Sequence, residues 1–218
     1  MISIEAQQDL LLKISQQLKK PVTAYAIGGT AMMFLGFKES TLDIDLVFET
    51  DAARAVFRSA AEELGYEKMD SIRIYGSKQN HPEMLTMGDE RLDLFVVKVI
   101  YFDFSQEMMA RAENINQFGS NLFLKIANPH DIILMKCATD RIKDLDDARR
   151  IISRGGIKWE ILIGEAKNQI QRGNEMAAFE LGGFLEKLKN DLKLNIPKSV
   201  LDELFEIVKK QAEEKQRK

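Results

Sequence analysis

The chain has 218 residues, enough for one sizeable core or for a core domain with a smaller helical one. Its composition, 45% hydrophobic and 30% charged, is that of a globular protein, and a net charge of −3 argues against a general nucleic-acid coat. A single cysteine, Cys137, excludes an intrachain disulfide framework. No apolar run approaches bilayer length and no basic, then apolar leader opens the chain, so a cytoplasmic protein without membrane contact is expected.

In chain order, residues 3–19 predict an amphipathic helix with Ile4, Leu11, Ile14 and Leu18 on one face, ended by Pro21. Residues 22–27 read as a first strand, a Gly28-Gly29 turn opens a short helix over 29–35, and 36–41 is polar enough for a loop. The strand over 43–48 follows, then a helix capped by Thr50 or Asp51 that carries Val56, Phe57, Ala60 and Leu64 and stops at Gly65. Ile72–Tyr75 suggests a short strand, 76–88 a loop, 91–100 the most β-like run, and 121–126 a last strand after a turn at Gly119. From Asn128, with Pro129 at the first helical position, the pattern turns helical, with further helices over 141–152, 158–172, 174–188 and 199–211 and a frayed tail over 213–218.

The chemistry lies in two places. Gly28 and Gly29 let the backbone approach a ligand closely, and the N–H groups at the helix start favour an anion. Asp43 and Asp45 stand two apart, so on a strand both carboxylates leave one face while Ile44 points into the core. Asp93, among apolar neighbours in Arg91-Leu92-Asp93-Leu94-Phe95, is out of place unless it faces a cleft or a cation. Taken singly, these elements are a simple turn and a solvated strand end. In this order, with three carboxylates, they equip a chain for metal-assisted phosphoryl transfer, provided the two acidic strands are neighbours.

The Gly-Gly turn, the Asp-x-Asp strand and the third carboxylate resemble the signature of the nucleotidyltransferase superfamily that includes polymerase β. Thr30 stands where that family usually places a serine. The stretch from Pro129 through Lys136 and on to Lys143, Asp144 and Asp147 is similar to the helical half of abortive-infection and toxin–antitoxin nucleotidyltransferases. That resemblance implies that Lys136 binds the triphosphate and that Lys143, Asp144 and Asp147 line or brace the site. On the residues alone, Lys143–Asp147 and Asp146–Arg150 are ordinary i,i+4 helix pairs, and Lys136 equally suits a snorkelling lysine.

The remaining candidates are bland. His81 and His130 are too isolated to propose zinc. Cys137 and Trp159 read as packing. The basic residues Arg141, Lys143, Arg149, Arg150 and Arg154 alternate with Asp140, Asp144, Asp146 and Asp147, as on a solvated face. No Gly-x-Gly-x-x-G follows the first strand, which excludes a dinucleotide-binding oxidoreductase.

The fold implied is α/β: a nucleotidyltransferase-like mixed β-sheet flanked by helices over 1–127, then a C-terminal helical bundle over 128–218. The function implied is transfer of a nucleotidyl group from a nucleoside triphosphate to an acceptor hydroxyl, with Mg2+ or Mn2+ on Asp43, Asp45 and Asp93. Gly28, Gly29 and Thr30 would meet the nucleotide. The toxin-like resemblance favours an RNA or protein acceptor and a partner protein, with a small-molecule acceptor open. The alternative is a non-catalytic nucleotide-binding or interaction module of the same fold.

Overall fold

The computed structural model describes residues 1–76, 78–138 and 141–216, and the chain divides into two units, Met1–Asn128 and Pro129–Lys218. In the first, β1 (Ile2–Ser3) leads into α1 (Ile4–Gln17), whose N-cap Ser3 accepts from the Ala6 N–H and whose Leu10, Leu11 and Ile14 are buried. β2 (Val22–Ala26) runs into α2 (Gly28–Phe34), and β3 (Ser40–Thr41) precedes β4 (Ile44–Phe48). Thr50 caps α3 (Asp51–Glu63) by accepting from the Ala53 N–H. There follow β5 (Glu67–Met69), α4 (Ile72–Tyr75), β6 (Glu83–Met87), β7 (Glu90–Val96), β8 (Lys98–Val99), β9 (Phe102–Asp103), α5 (Gln106–Arg111), β10 (Asn114–Phe118) and β11 (Leu122–Ile126).

The architecture is α/β. The main sheet has the order β10-β11-β2-β4-β7-β6-β5, with β8 and β9 continuing from β7. It is mixed: β11 and β2 are parallel, β2 and β4 antiparallel, β4 and β7 parallel, and β6 antiparallel to both β7 and β5. Helices α1 and α3 lie against each other and against the sheet. The central strands are buried runs, as parallel neighbours covered by helices require: Ile44, Leu46, Val47 and Phe48 from β4, Leu92 and Leu94 from β7, and Ala24, Tyr25 and Ala26 from β2.

Three local expectations differ from the structure, and one strand, β10, falls where none was stated. Ile72–Tyr75 is one turn of helix rather than a strand, because Asp70 accepts from the Ile72 N–H and Gly76, at φ 61°, ends the turn. The span 76–88 contains β6, which buries Met84 and Leu85 between β5 and β7. The β-like run 91–100 breaks after Val96. Val97 takes φ 54°, costly for a β-branched residue, and is held there by its N–H to Phe48 O (3.0 Å) and by Phe104 N–H to its carbonyl (2.6 Å). Polar β10, Asn-Ile-Asn-Gln-Phe, carries no apolar alternation, yet pairs with β11 along its whole length.

The second unit is helical: α6 (Pro129–Cys137), α7 (Ile142–Ser153), α8 (Trp159–Gln171), α9 (Ala177–Asn190) and α10 (Lys198–Gln216). Pro129 opens α6, where its missing N–H costs nothing. The last helix runs to Gln216, through most of the expected frayed tail, and the final two residues lie outside the described set. Leu162, Ala166, Leu181, Leu185, Leu188 and Leu204 supply the core. Across α6 and α7, Lys136 Nζ reaches Asp144 Oδ1 (2.9 Å) and Asp147 Oδ2 (2.6 Å), with all three side chains under a tenth exposed. Arg141 Nε adds a contact to Asp144 Oδ2 at 2.7 Å.

Removing one partner of a buried ion pair strands the other charge, which costs about 3–5 kcal/mol. Lys136→Met is therefore expected to lower the free energy of unfolding in urea by about that much. Adding Asp144→Asn and Asp147→Asn should recover part of the loss. An unchanged midpoint in the single variant would show that the cluster does not stabilise the fold.

Candidate active site

The turn after β2 is shaped by the strand beside it. The Ile27 N–H donates to Asp45 O (3.2 Å), Gly28 takes φ 54°, and a Cβ on Gly28 would stand 2.8 Å from Asp45 Oδ2. A Cβ on Gly29 would stand 2.5 Å from Thr41 Oγ1. Both glycines are needed for close approach, and Gly28 also for its left-handed backbone. Thr30 is fully buried, and its Oγ1 accepts from the Asp45 N–H at 2.9 Å, so the hydroxyl ties the turn to the acidic strand. Thr41 Oγ1 lies 3.4 Å from Asp43 Oδ1.

Asp43 directly precedes β4, and Asp45 is its second residue. Strand β7 runs parallel to β4 in a register that sets Asp93 beside Asp45. One oxygen from each of Asp43, Asp45 and Asp93 can be chosen so that all three lie within 4.8 Å of one another. The two acidic strands are therefore neighbours, and their carboxylates converge on one point. Asp43 and Asp45 are half-buried, while Asp93 is fully buried.

Two residues that the sequence did not mark out complete the cluster. Arg91, two before Asp93 on β7, directs Nη2 to Asp43 Oδ2 and brings Nε to 3.0 Å from Asp93 Oδ1. Its position on the same strand face was readable from the two-residue period. The Tyr75 hydroxyl donates to Asp93 Oδ2 at 2.6 Å; no sequence signal joined it to a carboxylate 18 positions on. Burial pushes the Asp93 carboxyl above the usual range, against the opposing pull of Tyr75 and Arg91.

The donor set fits a hard divalent cation. It offers three carboxylates, and no described residue donates a well-formed hydrogen bond to the buried Asp93 Oδ1 despite the nearby Arg91 Nε. Carboxylates without thiolate or imidazole suit magnesium or manganese rather than zinc.

The other sequence candidates lie in the second unit. Lys136, Asp144 and Asp147 form the buried cluster across α6 and α7, and Lys143 is exposed on α7. The Arg149–Asp146 pair is an i,i+3 contact of 3.3 Å, and Asp140 lies outside the described residues. His130 Nε2 accepts from the Lys158 N–H at 2.8 Å, and Cys137 is buried, as packing residues would be. No helix among the described residues is long and apolar enough to cross a membrane.

Among solved structures, the chain is similar to ANT(2'')-Ia in complex with adenylyl-2''-tobramycin, at 18% identity and a TM-score of 0.47, covering 83% of this chain and 98% of that one. It is also similar to an H. pylori protein assigned as a nucleotidyltransferase, at 16% identity and a TM-score of 0.37, covering 97% of this chain and 98% of that one. No curated protein matches it in sequence. Residues 1–179 match the family model described as nucleotidyltransferase of unknown function, DUF6036. With most of its length inside that match, including the glycine turn and all three aspartates, the chain belongs to this family of nucleotidyltransferases.

Proposed function

We propose that the protein transfers a nucleotidyl group from a nucleoside triphosphate to an acceptor hydroxyl, using Mg2+ or Mn2+ held by Asp43, Asp45 and Asp93. The observation that carries this reading is the convergence of those carboxylates beside the Gly28-Gly29 turn. A divalent ion there would neutralise charge on the transferred phosphoryl group and favour the attacking oxygen. Gly28 and Gly29 admit the triphosphate close to the backbone, and Thr30 fixes the height of Asp45 against that turn. Asp93, the fully buried member of the three, would hold the ion from the neighbouring strand β7. Lys136 is the candidate cation for the triphosphate that the resemblance implies, braced by Asp144 and Asp147 with Lys143 nearby in sequence. A triphosphate must compete with those two aspartates for its charge.

The acceptor we favour is an RNA or a protein, on the toxin-like pattern of residues 129–147, which also leans towards a partner protein. A small molecule remains the other acceptor class. One observation favours the rival, a non-catalytic nucleotide-binding module: Arg91 already supplies Asp43 and Asp93 with a positive charge.

Labelled triphosphates incubated with the protein, Mg2+ and cell extract should place label on RNA or protein. Asp45→Asn should lower that transfer at least about a thousandfold, some 4 kcal/mol of barrier. Label that survives the substitution would remove Asp45 from the chemistry, and wild-type protein that binds triphosphate without labelling anything would favour the rival.

Metal binding to the folded state alone predicts a second outcome. At a Mn2+ concentration of about a hundred times Kd the gain is about 2.7 kcal/mol, a rise of roughly 5–10 °C in Tm. The Asp43→Asn, Asp45→Asn double variant should show no such rise. Equal responses in the two proteins, followed by differential scanning fluorimetry, would remove the ion from these residues.

A further inference from the structure

Asp93 is the most buried of the three carboxylates, and its two oxygens have different neighbours. The Tyr75 hydroxyl donates to Oδ2 at 2.6 Å, whereas Oδ1 faces the Arg91 Nε, 3.0 Å away, without a well-formed hydrogen bond. Tyr75 does not come from the sheet. It ends α4, a single helical turn with no buried residue, in which Ile72 and Ile74 are 64% and 49% exposed. Apolar burial therefore does not hold α4 down. Its ring is held instead by His81, at 5.6 Å between centroids and tilted by 36°, and edge-on by Phe95, at 6.3 Å and 89°. Ser71 Oγ lies 3.3 Å from His81 Nδ1, joining the start of this excursion to its end, and Asn80 Nδ2 donates to Ile100 O at 2.6 Å. Ser71 and His81 thus tie the two ends of this segment, and the tyrosine hydroxyl joins α4 to the acidic cluster.

We propose that Tyr75 is the positioning residue for Asp93: by holding Oδ2 it aims Oδ1 at the point shared with Asp43 and Asp45, and so couples α4 to occupancy of the metal site. This rests on the metal reading above. A carboxylate that rotates about its Cβ–Cγ bond presents either oxygen or neither; one with Oδ2 fixed presents Oδ1 alone. Partners of this kind, outside the ligand set, typically set metal affinity by 10- to 100-fold. The coupling is reciprocal. A cation that favours the held orientation of Asp93 also favours the tyrosine contact, and with it the ordered state of α4.

The test uses Tyr75→Phe, which removes the hydroxyl and keeps the ring against His81 and Phe95. Mn2+ affinity is measured by calorimetry on the full chain without nucleotide, beside amide hydrogen exchange of α4 with and without Mg2+. The variant should bind Mn2+ about tenfold more weakly. Mg2+ should slow exchange in α4 of the wild type and leave α4 of the variant unchanged. Phe95→Leu loosens the ring packing while keeping the hydroxyl, and should bind Mn2+ within about twofold of wild type. Equal Mn2+ affinity in wild type and Tyr75→Phe overturns the proposal while leaving the metal site standing. The same holds if Phe95→Leu weakens binding as much as Tyr75→Phe, because packing rather than the hydroxyl is then responsible. A wild type that binds no Mn2+ removes the metal reading itself, and this inference with it.

Discussion

The parallel pairing of β4 with β7, in the register that sets Asp45 beside Asp93, is the constraint on which the site depends. Neighbouring strands lie about 4.8 Å apart, so two carboxylates at paired positions on one face are forced into each other's field. A slip of one residue would turn Asp93 to the opposite face and send Leu92 or Leu94 into its place. The register is held because that slip would also expose the buried runs of both strands. Hydrophobic burial thereby fixes a like-charge contact that the carboxylates would not choose.

Everything around the pair answers that repulsion or exploits it. Thr30 takes the Asp45 N–H, so the strand is held to the glycine turn through its backbone. Arg91 lies between Asp43 and Asp93, and the Tyr75 hydroxyl donates to Asp93 Oδ2. Gly28 is where a side chain would have struck Asp45 Oδ2. The turn and the acidic strand are consequently one object, and their spacing in sequence reflects contact in space.

The parts of this arrangement that were legible are those with a local signature. Asp43 and Asp45 share a face by the two-residue period, and Asp93 is a charge in an apolar run, so both stand out without any knowledge of pairing. That β4 and β7 are neighbours had to be supposed, since register is a long-range property. Tyr75 was illegible for a different reason. Ile-Arg-Ile-Tyr has the β-branched and aromatic content of a strand, and only the Asp70 side chain and the left-handed Gly76 make it a helical turn. β6 and β10 carry no signal of their own because neither Glu-Met-Leu-Thr-Met nor Asn-Ile-Asn-Gln-Phe alternates cleanly, and β10, without a buried residue, is held by its pairing with β11.

The two units each contain a cation shared between two aspartates, and burial separates what the two arrangements can do. Lys136, Asp144 and Asp147 have side chains 8%, 0% and 7% exposed, so moving Lys136 to another partner would withdraw its charge from two desolvated carboxylates. Arg91 and Asp43 are 20% and 15% exposed, and the long arginine stem lets the guanidinium move towards water while its aliphatic part stays packed. A divalent ion that displaced Arg91 would replace one charge by two among three carboxylates, whereas displacing Lys136 would first break a buried network. The same chemical motif is thus more open to water in the first unit and more deeply buried between α6 and α7 in the second.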